Sequence, residues 1–479
     1  MTEEIDRRRL PQPPSTRRGV QITSNHGHAA IAMLDFFSIK NFKSIKDVDV
    51  EMRPFMVLVG PNGAGKTNFV QGMQLFGQIL ERGTTDPARG DGWGQIVRRA
   101  QKPARGGVSF RAKCVVPAGY MHSVPREGQS ETGPVTVEIG LSLKGSVDTG
   151  DVTVASESIT ISRKDGGVVQ ITSSRKGIDV DPGDDRLLWD TVADSFSGSL
   201  RRRLREISSS SIVLAAGAKD KITELFREEF RVEEEFEGRL LRILSVQRYY
   251  SRWLRYIIRS CAVTRMRLDA TSLRDDSSFR DADGEVFVRP SGRGLAAAID
   301  GLRSVAKGEA FQMILGALRA VYPRIEDVVP SRVLGGRLTL LFKEIGINEM
   351  LDISSVSDGV LHALALLVMI YGQPGAGILA IEEPENAIHP WSIRSIMLHA
   401  QEDVKRQILI TTHSETVVNA VKDPASLMIV EHVGDAGTHI VSAASRETAI
   451  DSILRGSGQK LGDLWMDGSL GGVPGPANG

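Results

Sequence analysis

An α/β fold with an antiparallel β-subdomain and a helical insertion between its two lobes is predicted by three observations. An apolar run, Phe55-Met56-Val57-Leu58-Val59, leads straight into Gly60-Pro61-Asn62-Gly63-Ala64-Gly65-Lys66-Thr67, a match to G-x-x-x-x-G-K-[ST] in the strand, loop and helix order of a phosphate-binding P-loop. Between about 105 and 180 apolar and polar residues alternate with period two, as in Val135, Val137, Ile139, Leu141 and Leu143. Between 350 and 433 short apolar runs again alternate with helical stretches, and one of them ends in Glu382-Glu383.

Composition bounds the rest. A chain of 479 residues exceeds what one hydrophobic core fills, so at least two domains or lobes are expected. Lys+Arg and Asp+Glu balance at 59 each, so no global basic field marks a nucleic-acid partner, and any DNA surface must be local. Cys114 and Cys261 have no metal-ligand spacing and read as buried thiols in a reducing compartment. No run reaches the roughly 18 apolar residues of a spanning helix, so a cytoplasmic protein with no membrane partner is expected.

Residues 1–32 are rich in Arg, Pro and Ser and are predicted to be a disordered extension, with Met33, just before the first patterned segment, as the expected start. Residues 33–104 form the first lobe, with strand-like groups leading to the P-loop. Residues 105–184 form the antiparallel subdomain, with Asp165-Gly166-Gly167 as a hairpin turn. Apolar residues at three- and four-residue steps, among them Leu225, Leu254, Ile257 and Ile258, predict a helical insertion over 185–325. Its charge runs, such as Arg201 to Arg203, read as solvated faces, and these arginines with Arg98, Arg99 and Arg105 are the candidates for a DNA surface. The second lobe, 326–479, resumes the α/β alternation.

The chemistry lies in the loops. The glycines at 60, 63 and 65, with Pro61, Asn62 and Ala64, let backbone N–H groups converge on phosphate oxygens, Lys66 adds charge, and the Thr67 hydroxyl can ligate Mg²⁺. Glu382 would hold Mg²⁺ and Glu383 would polarise a water for attack on the γ-phosphate of ATP. The run Ile408-Leu409-Ile410-Thr411-Thr412 delivers His413-Ser414 at the end of a neighbouring strand, where the histidine could sense that phosphate. Ser357, Asp358 and Gly359 stand at the start of an apolar helix, which makes a second anion site or an ordinary N-cap.

In this order the pieces resemble the ABC-type ATPases of the RecF, SMC and OLD group, and among them the stand-alone AAA-family relatives without a TOPRIM nuclease. The resemblance rests on Ile39-Lys40-Asn41-Phe42-Lys43-Ser44-Ile45, the P-loop continued by Asn68, Val356-Ser357-Asp358-Gly359, Ile381-Glu382-Glu383-Pro384-Glu385-Asn386, Ile388-His389-Pro390, and Thr411-Thr412-His413-Ser414. It implies ATP and Mg²⁺ as ligands, Asn68 as part of the nucleotide site, and a homodimer that sandwiches ATP, with Ser357, Asp358 and Gly359 acting on the partner's nucleotide. Glu382 replaces the Asp usual in ABC proteins. Lys43 resembles a basic residue that some relatives place near the nucleotide, and Gln95 and Gln247 are the candidates for the Q-loop glutamine. Only 66 residues follow His413, too few for a TOPRIM domain, so the relatives imply a separate nuclease-like effector, in DNA transactions or phage defence. The rival expectation is a sensor or scaffold that binds ATP with little turnover and holds a partner nuclease inactive.

Overall fold

The structure, a computed structural model, describes residues 32–98, 107–121, 133–174, 177–193, 202–204, 224–225, 251–275, 288–305, 308–333, 337–372, 377–402, 406–446 and 460–472. The expected disordered extension (1–31), Arg99, Arg105, Arg201, Gln247 and most of 205–250 lie outside them. Ala32, placed by sequence in the extension, is buried.

Strands β1 (Phe36–Phe42) and β2 (Ile45–Glu51) make a hairpin, and β3 (Phe55–Val59) runs into the P-loop. Then come β4 (Val108–Val116), β5 (Val135–Gly145), β6 (Val152–Arg163), β7 (Val168–Ser174) and β8 (Gly177–Asp181). The second half contributes β9 (Val263–Met266), β10 (Ile325–Arg332), β11 (Leu338–Glu344), β12 (Leu351–Asp352), β13 (Ile378–Glu382), β14 (Gln407–Thr412), β15 (Leu427–Val433) and β16 (Gly437–Ser442). Among the described residues, 13 strands form one sheet in the order β8-β7-β6-β5-β4-β1-β2-β16-β15-β3-β14-β13-β9, while β10, β11 and β12 form a small separate sheet. The antiparallel strands share the nucleotide lobe's own sheet because β1 pairs with β2 on one side and β4 on the other. Inside the segment read as helical, Val263–Met266 forms a strand that pairs in parallel with β13 at the sheet's edge.

The five strands β15, β3, β14, β13 and β9 run parallel. Side chains of a strand alternate between faces, and here that splits continuous apolar runs between two cores, as expected for a sheet covered on both sides. Met56 and Leu58 of β3, Ala380 of β13 and Leu409 of β14 join one core with the helices Lys66–Arg82 and Arg252–Cys261. Val57, Val59, Ile381, Ile408 and Ile410 join the other, with the helices Leu295–Ser304, Glu309–Val321, Asp358–Leu367 and Pro390–Glu402.

The helix Lys66–Arg82 turns Phe69, Val70, Met73, Phe76, Ile79 and Leu80 inward at helical spacing, and Phe37 of β1 packs on Phe69 and Phe76 with ring centroids 5.8 and 5.7 Å apart. It stops at Gly83, which takes a left-handed conformation and donates its N–H to the Ile79 carbonyl at 2.8 Å. On the same side the two cysteines meet and are both buried, and the hydrogen bond to Cys261, reinforced by burial, pushes the Cys114 thiol well above its usual range. No helix among the described residues is long and apolar enough to cross a membrane.

Candidate functional site

In a parallel α/β sheet the loops at the carboxyl ends of adjacent strands converge. Here β3 ends at the P-loop, β13 at Glu382-Glu383 and β14 at Thr412-His413, and β14 lies between the other two.

The P-loop is braced from behind. Gly65, in a left-handed conformation with φ 111°, caps the helix that begins at Lys66. A Cβ there would stand 2.1 Å from the Thr438 hydroxyl, so only glycine fits. That hydroxyl, buried on β16, donates to the Ala64 carbonyl at 2.8 Å and lies 2.7 Å from the Ser44 hydroxyl, which accepts from the Asn68 amide at 2.7 Å. Asn68 is thus held by the β1–β2 turn, and its neighbour Thr67 begins the same helix. Sequence reasoning missed Thr438 and Ser44 as P-loop supports. Ser44 was quoted in the opening motif without a role, no motif marks Thr438, and their neighbourhood exists only once β16 and the first hairpin have come together.

Lys66 is buried and folds its ammonium onto the loop, donating to the carbonyls of Gly60 at 2.6 Å and Pro61 at 3.0 Å. Burial lowers its pKa, and the charges of Glu383 and Glu385 work in the opposite direction. The P-loop cation and the acids beyond β13 therefore feel one another across β14.

Glu382 and Glu383 are adjacent in sequence and differ in surroundings. Glu382 is buried, and both its carboxylate oxygens accept from Arg265 of β9: Oε1 from Nε and Oε2 from Nη2 at 3.1 Å. Glu383 is part-exposed and takes a left-handed φ of 48°, a conformation that costs a non-glycine residue about 1 kcal/mol or more and collects at functional sites. Its N–H donates to the Thr411 carbonyl at 2.8 Å, and its Oε2 accepts from the Asn386 amide at 3.1 Å. His413 is half-exposed, its Nδ1 3.9 Å from Glu383 Oε1 and 3.7 Å from Glu385 Oε1. Glu385, quoted in the motif without a role, organises the strand end: its Oε1 accepts from the Thr412 hydroxyl at 2.6 Å and the His413 N–H at 3.2 Å. Its Oε2 is buried with no hydrogen-bond partner among the described residues.

The turn Val356 to Gly359 belongs to the second core. Ser357, the N-cap, is exposed and makes no side-chain capping bond, and Asp358 pairs with Arg274, which also donates to the Val356 carbonyl at 2.6 Å. A Cβ on Gly359 would stand 2.9 Å from the Ala387 carbonyl and 3.1 Å from the Tyr322 hydroxyl, so glycine permits the helix start to close on the turn after Glu383. The signature turn and the acidic turn are therefore in direct contact. Lys43 donates to Gln71 at 2.7 Å, one turn beyond Thr67 on the P-loop helix. Gln95 sits in the short helix Trp93–Ile96, and the Arg98 side chain donates to the Asp435 carbonyl.

The oxygens expected to hold Mg²⁺, the Thr67 hydroxyl and the Glu382 carboxylate, suit a hard cation in kind, but both oxygens of Glu382 already accept from Arg265.

Two family models match the chain: one described as "AAA ATPase domain" over residues 33–86, the other as "AAA domain, putative AbiEii toxin, Type IV TA system" over residues 197–419. An OLD nuclease of Thermus scotoductus is 42% identical over 43 residues, which are 9% of this chain and 8% of that protein's length. Among solved structures, an SMC head bound to the C-terminal winged-helix domain of ScpA aligns with 87% of this chain and 99% of its own, at 11% identity and a TM-score of 0.44. The SMC head domain from Thermotoga maritima covers 86% of this chain and 98% of its own, at 12% identity and a TM-score of 0.36. Likenesses that distant have no bearing on what the chain binds. AAA-family models thus match in both lobes, and the P-loop, the paired acids and the histidine lie together at the carboxyl ends of adjacent parallel strands, so the chain carries AAA-family ATPase domains.

Proposed function

We propose that the chain binds ATP with Mg²⁺ at residues 60–68, hydrolyses it, and uses the cycle as a conformational switch. The observation that carries this is the placing of Lys66, Glu383, Glu385 and His413 where adjacent parallel strands end, close enough for the two acids to act on the lysine's charge. The loop N–H groups and Lys66 hold the β- and γ-phosphates; when they do so, Lys66 exchanges the carbonyls of Gly60 and Pro61 for phosphate oxygens. Thr67 and Glu382 would hold Mg²⁺, which would supply charge neutralisation at the phosphates. Glu383 accepts the proton of an attacking water and His413 contacts the γ-phosphate, while Glu385 holds the histidine's backbone in place.

The exposed Ser357, with Asp358 and Gly359, faces the nucleotide of a second copy, so that ATP closes a homodimer. The contact of Gly359 with Ala387 then links that interface to the acidic turn. A separate nuclease-like effector, acting in DNA transactions or phage defence, is the partner on which the switch works.

Lys66→Ala tests the core of this reading. Charge-assisted bonds to phosphate are worth about 3 kcal/mol together, so affinity for ATP should fall on the order of 100-fold by calorimetry. Unchanged affinity would remove the P-loop from the account.

A further inference from the structure

The carboxylate that the proposed function gives to the metal is already taken. Glu382 ends β13, with β9 on one side and β14 on the other, and its side chain is only 5% exposed. Arg265 enters from β9 and donates Nε to one carboxylate oxygen and Nη2 to the other. Such a fork satisfies both oxygens and pairs the buried carboxylate with an opposite charge. Lys43 is a second cation close enough to Arg265 for their charges to interact. Burial holds the Lys43 ammonium below its usual range, Asp91 offsets this, and the charge of Arg265 adds to the depression. Two cations on one buried carboxylate repel each other, more strongly in a low-dielectric pocket than in water.

We propose that Arg265 is a built-in competitor of Mg²⁺ for Glu382, so that metal reaches the site only by displacing the guanidinium. This rests on the reading of Glu382 as the metal carboxylate. It also gives the insertion a route to the site. Among the described residues β9 is the one strand of the parallel group drawn from 185–325; it lies at the end of the sheet, is four residues long and pairs with β13 alone. A partner that pulls β9 or the helix Arg252–Cys261 outward frees Glu382 for metal; one that presses it inward keeps the arginine in place.

The test is the gain in ADP affinity produced by Mn²⁺, measured calorimetrically as the ratio of dissociation constants in EDTA and in Mn²⁺. In the parent protein part of the metal's binding energy is spent on displacing Arg265. Arg265→Gln should therefore raise the ratio at least tenfold, and Arg265→Lys, which keeps the charge without the fork, about threefold. If the glutamine variant does not fold, the lysine variant decides. An unchanged or smaller ratio in the folded variant overturns the competition. Glu382→Gln, alone and with Arg265→Gln, separates the two layers: if Mn²⁺ still enhances ADP binding as in the parent, the metal role of Glu382 fails, and with it the premise. If Glu382→Gln abolishes the enhancement while Arg265 substitutions leave it unchanged, only the competition fails.

Discussion

The two halves of the large sheet solve different problems. In the parallel half, β15, β3, β14, β13 and β9, the inner strands β3, β14 and β13 are covered on both faces and are mostly apolar, with their polar chemistry at or near their ends. The antiparallel half, β4 to β8, buries alternate residues such as Val137, Ile139 and Leu141 and leaves Thr136, Glu138 and Gly140 partly open. The first half spends its loop ends on a site, and the second spends its length on stability. The two join at β2 and β16, where Ile45 pairs with Gly437 and Thr438. That narrow seam lies under the P-loop, so the antiparallel half is connected to the nucleotide through the Ser44 and Thr438 hydroxyls.

Substitutions in each half should separate these roles. The largest effect is expected at Glu383→Gln, which should lower the hydrolysis rate about 10²- to 10⁴-fold while leaving ATP affinity near that of the parent. Normal turnover in a steady-state phosphate-release assay would move the water-activating role elsewhere. In the other half, Leu141→Ala should cost about 2–5 kcal/mol in denaturant unfolding through the cavity it leaves. The refolded protein should bind ATP as before, and a selective loss of affinity at unchanged stability would break the division of labour. At the seam, Thr438→Val deprives the Ala64 carbonyl and Ser44 of a partner, at about 1–3 kcal/mol for buried groups left unsatisfied. Here stability and nucleotide affinity should fall together, since the same hydroxyl serves both halves. A loss of stability with unchanged nucleotide affinity would mean that the seam transmits nothing to the P-loop.

The comparison also shows what was legible in the sequence. That the P-loop, Glu382-Glu383 and His413 stand at the ends of neighbouring strands could be read, because a largely apolar run before each marks the place. The antiparallel strands could be read from alternation, and the hairpin at Asp165-Gly166-Gly167 is realised, with the Arg163 N–H bonded to the Gly167 carbonyl at 2.8 Å. That both kinds of strand share one sheet could not be read, because it depends on β1 pairing along both edges. β9 escaped notice since Val263-Thr264-Arg265-Met266 is too short to show a period of its own and follows an amphipathic helix. With β9 went Arg265, which meets Glu382 across 117 positions of sequence. Thr438 was hidden likewise: its role lies in proximity, which no local pattern encodes. The sequence also offered Ser357 as either an N-cap or an anion site, and its hydroxyl makes no capping bond, which leaves it available to another molecule.

The central claim is that ATP closes two copies of this chain on each other's signature turn. The most direct measurement is the solution mass of Glu383→Gln by light scattering, with and without ATP and Mg²⁺, beside the same protein carrying Ser357→Arg at that exposed position. The account predicts a mass that doubles with ATP and stays single when Ser357 is replaced. A mass indifferent to ATP, or a doubling that survives Ser357→Arg, would contradict it.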